Sequence, residues 1–143
     1  MTKILSEMVV YIATPDVPNK KGIVIPKKVL DKLVDEQPTL YGRIGFPFGL
    51  FRDNCSTDGL GPDEPNNSHY ISDFYYDEFG NLCGVVRILD NEEGKKLLNM
   101  YDSNNIGFRG AGFGKTRIKS GTIYLDETFN IVSFCAVETK ETY

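Results

Sequence analysis

The chain has 143 residues, 41 % of them hydrophobic and 25 % charged, with a net charge of −4; that size and composition fit one domain, 1–143, with its own core. The acidic balance, with an isoelectric point near 5.0, leaves no electrostatic footprint for nucleic acid, and no segment approaches the roughly 18 apolar residues that span a bilayer. Cys55, Cys83 and Cys135 form no CxxC pair, and an odd count argues against a disulfide framework, which points to a reducing cytoplasm.

The opening "MTKILSEMVVYIATPDVP" carries Glu7 inside its apolar stretch and reads as a first strand over 7–14, not as a signal peptide. After a turn-rich connector, "IPKKVLDKLVDEQP" (25–38) predicts a helix. Pro26 suits its first position, Val29, Leu30, Leu33 and Val34 form one stripe, and Pro38 stops it. "LYGRIGF" (40–46) reads as a strand. The Gly-, Pro-, Asn- and Asp-rich stretch 47–68 reads as a long surface loop.

"HYISDFYYDEFGNLCGVVRILD" (69–90) predicts a hairpin turning at "DEFGN". "NEEGKKLLNMYDS" (91–103) predicts a second helix, with Asn91 as cap and Leu97, Leu98 and Tyr101 on its apolar side. Short strands follow at "IGFRG", "KTRIK", "GTIYLD" and "FNIVSFCAVE". The expected class is α+β, mostly antiparallel sheet with two main helices.

The run "NIGFRGAGFGKT" (105–116) ends like a phosphate-binding loop, G-x-x-x-x-G-K-[ST]. The spacing fails, because the first glycine would fall on Arg109. The context fails too, since β-branched and aromatic residues follow where a helix should start. Nucleotide binding through Gly110–Thr116 therefore stands only as a minor alternative.

Histidine occurs once, at His69, so a serine or cysteine hydrolase would have to use it, with Ser68, Ser72 or Cys55 as nucleophile. Residues one or three apart on a strand face opposite ways, which disfavours direct pairing of His69 with either serine. The simpler expectation is a histidine that begins a strand and hydrogen-bonds locally. Cys83 and Cys135 sit in apolar runs, as small buried hydrophobes do. Around Asp58-Gly59 a calcium loop would begin at Asn54 and place Pro65 where a bidentate Glu is needed. Zinc lacks ligand spacing. No metal or cofactor is expected. The four aromatics of "DFYYDEF" (73–79) stand beside acids that repel phosphate, which favours packing or a protein-binding surface over RNA stacking.

The order of these parts resembles the prohead (capsid-maturation) proteases of tailed bacteriophages, relatives of the herpesvirus assemblin serine proteases. "NKKGIVIPKKVLDKLV" is similar to the family's basic turn, Pro and helix. "SHYISDFYYDEFGNLCGVVRILDNEEGKKL" is similar to its S-H-x-I-x-D-x-W-W hairpin and L-D-x-x-x-G helix. "IGFRGAGFG" is similar to G-[VI]-S-S-R-G-x-G, and "FNIVSFCAV" to the final strand ending V-D-x-V. The resemblance spans about Asn19 to Val137 and implies a partly open, barrel-like sheet.

The resemblance also implies which positions would carry catalysis: a serine of S-S-R-G, a histidine preceding Pro, and an acid in the last strand. Here those positions hold Gly107 and Phe108, Phe46 before Pro47, and Cys135, while Arg109 and Gly110 keep the rest of the motif. Active members usually carry a C-terminal extension, which this sequence does not show. The expectation is a protein of phage origin without protease activity, acting by binding. Its binding surface would comprise Ile106, Arg109, Gly110 and Gly112, in what would be a former oxyanion loop, together with Phe48 and Phe51 of the long loop. Expected partners are a phage head or scaffold protein, the active protease or a host protein, not nucleic acid or membrane. The expected location is the cytoplasm of an infected bacterium or the virion. The oligomeric state is open, a homodimer included.

Overall fold

The computed structural model describes residues 3–45, 66–102 and 106–138. Strand β1 (Ile4–Ala13) leads through the short β2 (Ile23–Val24) into helix α1 (Lys27–Glu36) and β3 (Leu40–Gly42). The hairpin β4 (His69–Tyr76) and β5 (Leu82–Leu89) precedes helix α2 (Glu92–Asp102), and β6 (Ile106–Phe113), β7 (Thr116–Lys119), β8 (Thr122–Leu125) and β9 (Asn130–Glu138) follow. The order is β1-β5-β4-β3 in a four-stranded antiparallel sheet and β2-β8-β7 in a three-stranded one, and β6 pairs with β9. Apart from the parallel β2–β8 pairing and one parallel bridge from Ile44 to Ala136, the pairing is antiparallel. The class is α+β with two helices, as expected. The barrel-like part of the expectation is not met: these sheets are open, and the described strands do not close on themselves.

Helix α1 forms where the stripe of Val29, Leu30 and Leu33 can be buried, each side chain contributing about 1.5–3 kcal/mol when fully removed from water. Pro26 is its cap, extended at φ −62 and ψ 146, one place before the helix instead of its first residue. A proline cannot cap with its side chain. Asp16 supplies that function from a distance, its carboxylate accepting the Lys27 N–H at 3.0 Å. At the other end Gln37 takes the left-handed conformation (φ 49). Its amide nitrogen donates to the Phe74 carbonyl at 2.7 Å and its amide oxygen accepts the Phe74 N–H at 3.1 Å. The side chain thus pairs like a short strand with β4 beside that strand's irregularity between Ser72 and Tyr75. Helix α2 begins as expected at Asn91, whose side-chain oxygen accepts the Gly94 N–H at 2.7 Å.

The strand expected over 40–46 ends at Gly42, for a steric reason. A side chain at Gly42 would place its Cβ 2.2 Å from the Phe134 carbonyl oxygen and 2.7 Å from His69 Nε2. Only glycine lets the chain cross there. Beyond it Arg43 accepts the Ala136 N–H at 3.0 Å, and the Gly45 N–H donates to the Ala136 carbonyl at 2.8 Å. The segment leaves the four-stranded sheet and joins the free flank of β9. Of the expected surface loop 47–68, residues 47–65 lie outside the described residues, and the calcium-loop candidate and Cys55 lie there with them. Its last two residues, Asn67 and Ser68, are buried.

The glycines of 106–112 lie on a paired strand, not on a loop, which corrects the reading of this run as a former oxyanion loop. The pairing slips between Ala111 and Gly112, and a Cβ on Gly112 would fall 1.9 Å from the Asn130 carbonyl oxygen. At Gly110 the added atom would meet only the Phe134 ring at 3.3 Å and Ile131 at 3.7 Å. Gly112→Ala must therefore move backbone and is expected to cost roughly 2–3 kcal/mol, the range of overpacking into a filled site. Gly110→Ala needs only a ring adjustment and should cost under about 1 kcal/mol. Denaturant midpoints at unchanged m-value measure both.

Candidate functional site

Strands β6 and β9 and the segment 43–45 meet where the resemblance places the catalytic residues. On one flank of β9, Ala136 pairs with Phe108 of β6. On the other, its backbone bonds Arg43 and Gly45, the last described residue before Phe46. Positions 108 and 135 and the segment leading to position 46 thus converge on one stretch of β9. Phe46, Phe48 and Phe51 themselves lie outside the described residues.

Strand alternation divides this stretch into two faces. Directly paired residues of an antiparallel ladder share a face, so Phe108, Gly110, Phe134 and Ala136 lie on one and Gly107, Arg109, Cys135 and Val137 on the other. Phe108 faces the core. It is 6 % exposed, and its ring stands edge-on to His69 with centroids 4.9 Å apart and 6.3 Å from Tyr101. Of the two serine positions, 107 is the one that shares a face with position 135, which the sequence pattern did not distinguish.

On that second face Cys135 is fully buried. Burial pushes its thiol up to about 11, against the opposing pull of the Ser133 hydroxyl and the Arg43 and Arg109 guanidinium groups. The thiol is therefore neutral at pH 7, neither a nucleophile nor a substitute for a carboxylate. Arg109, directly paired with Cys135, was singled out from the sequence. Arg43 was not, because nothing in its own neighbourhood reveals that β9 will lie beside it.

His69 is buried at 0 % exposure on the core side, as is Ser68. The Phe134 carbonyl can only accept, so His69 Nε2 carries the proton and donates to it at 2.6 Å; Nδ1 then accepts from Ser68 Oγ at 2.7 Å. The expectation that Ser68 and His69 face apart is wrong. Ser68 precedes β4, with its N–H on the Gly42 carbonyl and its carbonyl on the Leu89 N–H, so period-two alternation does not govern it. The pair has the connectivity of a hydroxyl and its base, but both partners lie inside the core and a backbone carbonyl takes the place of the orienting acid. Ser72 instead accepts from Arg87 at 2.6 Å.

Gly110–Thr116 cannot hold phosphate in the manner of a phosphate loop. The segment runs from β6 directly into β7, with no helix N-terminus behind it. Among the described residues no group of three or more His, Cys, Asp or Glu is placed to hold a metal, and no helix is long and apolar enough to cross a membrane.

No protein-family model matches the chain, and no curated protein matches it in sequence. The fold nevertheless has a counterpart in a phage capsid assembly protease. The structure superposes on the bacteriophage T4 capsid assembly protease, gp21, with a TM-score of 0.70 and 19 % identity, over 92 % of this chain and 80 % of that one. The fold is thus phage prohead protease-like.

Burial lowers the His69 pKa from 6.5 to about 4, its hydrogen bond to Phe134 opposing in part. Unfolded, the imidazole takes up a proton near pH 6.5 that the folded protein refuses until about pH 4. Stability from this residue is therefore complete above pH 6.5 and lost as the pH falls from 6.5 to 4, by up to about 3 kcal/mol. Denaturant titrations across that range should show the loss, and the imidazole nitrogen shifts should stay those of the Nε2–H tautomer down to about pH 4.5.

Proposed function

We propose that this chain is a protease-fold protein of phage origin that has given up catalysis and works by binding another protein in head assembly or in the infected host. The observation that carries this reading is the face shared by Gly107, Arg109 and Cys135. The serine position on that face, 107, has no side chain, and the acid position, 135, holds a neutral buried thiol. A serine protease needs a hydroxyl there and a base to take its proton. The fold's counterpart, a capsid assembly protease, supports a phage head or scaffold protein as partner, and the active protease or a host protein would also suit. A fold kept while its chemistry is lost suits a move from turnover to recognition.

Incubation with phage scaffold or head proteins should give no cleavage, and a fluorophosphonate probe should label nothing. Affinity capture from infected cells should recover one such protein. A second reading, an active hydrolase centred on His69, has one observation in its favour: the 2.7 Å contact from Ser68 Oγ. Fluorophosphonate labelling that disappears in Ser68→Ala would favour that reading and defeat the first.

Phe108→Ser tests the assignment of Phe108 to the core. It should lower stability by about 3 kcal/mol, the range for removing a buried phenyl ring, and yield no peptidase activity. A neutral effect on the denaturant midpoint would remove Phe108 from the core role given to it.

A further inference from the structure

We propose that β7 is a docking edge for an extended acidic peptide, captured by strand addition with alternating acidic and apolar residues. This edge belongs to a different sheet from the β6–β9 face and does not depend on whether that face is inert.

Backbone geometry comes first. In the order β2-β8-β7, one flank of β7 carries no strand among the described residues. Ser120 (φ 53) and Gly121 (φ 81) both lie in the left-handed region, which defines a two-residue type I′ hairpin loop between Lys119 and Thr122. In such a hairpin the residues bracketing the loop exchange both of their backbone bonds, and the pattern then alternates along the ladder. Arg117 pairs with Tyr124, and the Asp126 N–H donates to the Lys115 carbonyl at 2.9 Å, in phase with that pattern. Residues 115, 117 and 119 therefore spend their backbone groups on β8. Thr116 and Ile118 turn theirs outward. The Ile123 N–H agrees, donating away from β7 to the Gly22 carbonyl at 2.9 Å.

The side chains then decide what such an edge accepts. All four residues of β7 are exposed, Ile118 by 74 %. Thr116 and Ile118 share the face of Leu125 and Ile123, which belong to or pack against the core. Lys115, Arg117 and Lys119 take the other face. From Lys115 to Gly121 there are three cations and no acid, in a chain of net charge −4. Asp126 acts electrostatically on Lys115 and Arg117, and the Arg117 guanidinium is held over the Tyr124 ring at 5.4 Å. Cations on an edge also deter pairing with a like edge. The same charges admit an acidic strand. An added strand would place one set of side chains beside Ile118 and the alternate set beside Arg117 and Lys119, hence apolar residues alternating with acids.

The probe is a synthetic extended peptide of alternating Glu and Val, titrated into the isotopically labelled protein. Expected are saturable shifts and slowed exchange at the Thr116 and Ile118 amides, weakening as salt is raised. The double variant Arg117→Glu with Lys119→Glu, on exposed positions that leave the fold intact, should bind this peptide at least about tenfold more weakly and gain binding of a Lys/Val peptide. N-methylation of alternate peptide residues should abolish binding in one register only. Absence of saturable binding at millimolar peptide, shifts located elsewhere, or equal affinity in the double variant would each overturn the proposal. None of these results depends on protease activity, and a positive result leaves the fluorophosphonate and cleavage tests to be decided separately.

Discussion

The hydrogen bond from His69 Nε2 to the Phe134 carbonyl, 2.6 Å long and fully buried, is the contact around which the corner between the two sheets is arranged. It ties β4, in the four-stranded sheet, to β9, in the two-stranded one. Such a bond needs the two backbones close together, and Gly42 makes that approach possible because it has no Cβ to occupy the gap. A neutral imidazole suits the position better than a charged side chain. It satisfies two buried partners, Ser68 Oγ and the Phe134 carbonyl, without the desolvation penalty of a charge. Phe108 then closes over the ring from β6, so three strands from distant parts of the chain are fixed by one side chain.

Most of the secondary structure was legible in the sequence because it follows from local periodicity. The stripe of α1, the Asn91 cap of α2 and the Asp77–Asn81 turn all express short-range rules. The illegible parts depend on partners far along the chain. Asp16 serves α1 from eleven residues away, and Gln37 serves β4 from thirty-seven. Neither contact falls within the short spacing from which capping and turn rules are read. The early end of β3 has the same origin, because Arg43 and Gly45 answer to Ala136 and not to their own neighbours.

The glycine-rich run shows how a local motif misleads. Gly-Lys-Thr after glycines suggests phosphate, and resemblance to S-S-R-G suggests a loop. The structure uses Gly112 to bring β6 against Asn130 and Gly114 to pass Phe129, whose Cα would lie 2.7 Å from an added Cβ. These are packing demands from β9 and the segment before it, and they need no ligand. Ser68 misled in the opposite sense. Alternation rules apply within a strand, and Ser68 stands just before one, so it reaches the histidine that alternation would have kept from it.

Alternation within the β6–β9 ribbon also explains how such a fold could lose chemistry without losing shape. Phe108, Phe134 and Ala136 face the core and are all buried. Substitution there would disturb His69 and the joint between sheets, so that face is constrained by packing whatever the protein does. Gly107, Arg109 and Cys135 face the other way. If that face once carried a nucleophile and an acid, replacing a hydroxymethyl group by hydrogen and a carboxylate by a thiol would remove polar atoms without disturbing the Phe108–His69 contact. Burying an apolar thiol costs less than burying a carboxylate that has lost its partner. A neutral thiol at position 135 needs no charged partner, and the Arg43 and Arg109 guanidinium groups act on it only as a pull against the effect of burial. Packing constrains part of the second face too: Cys135 and Val137 belong to the same buried cluster as Phe108, Phe134 and Ala136, which leaves Gly107 and Arg109, both only half-buried, as the positions on it that packing restricts least.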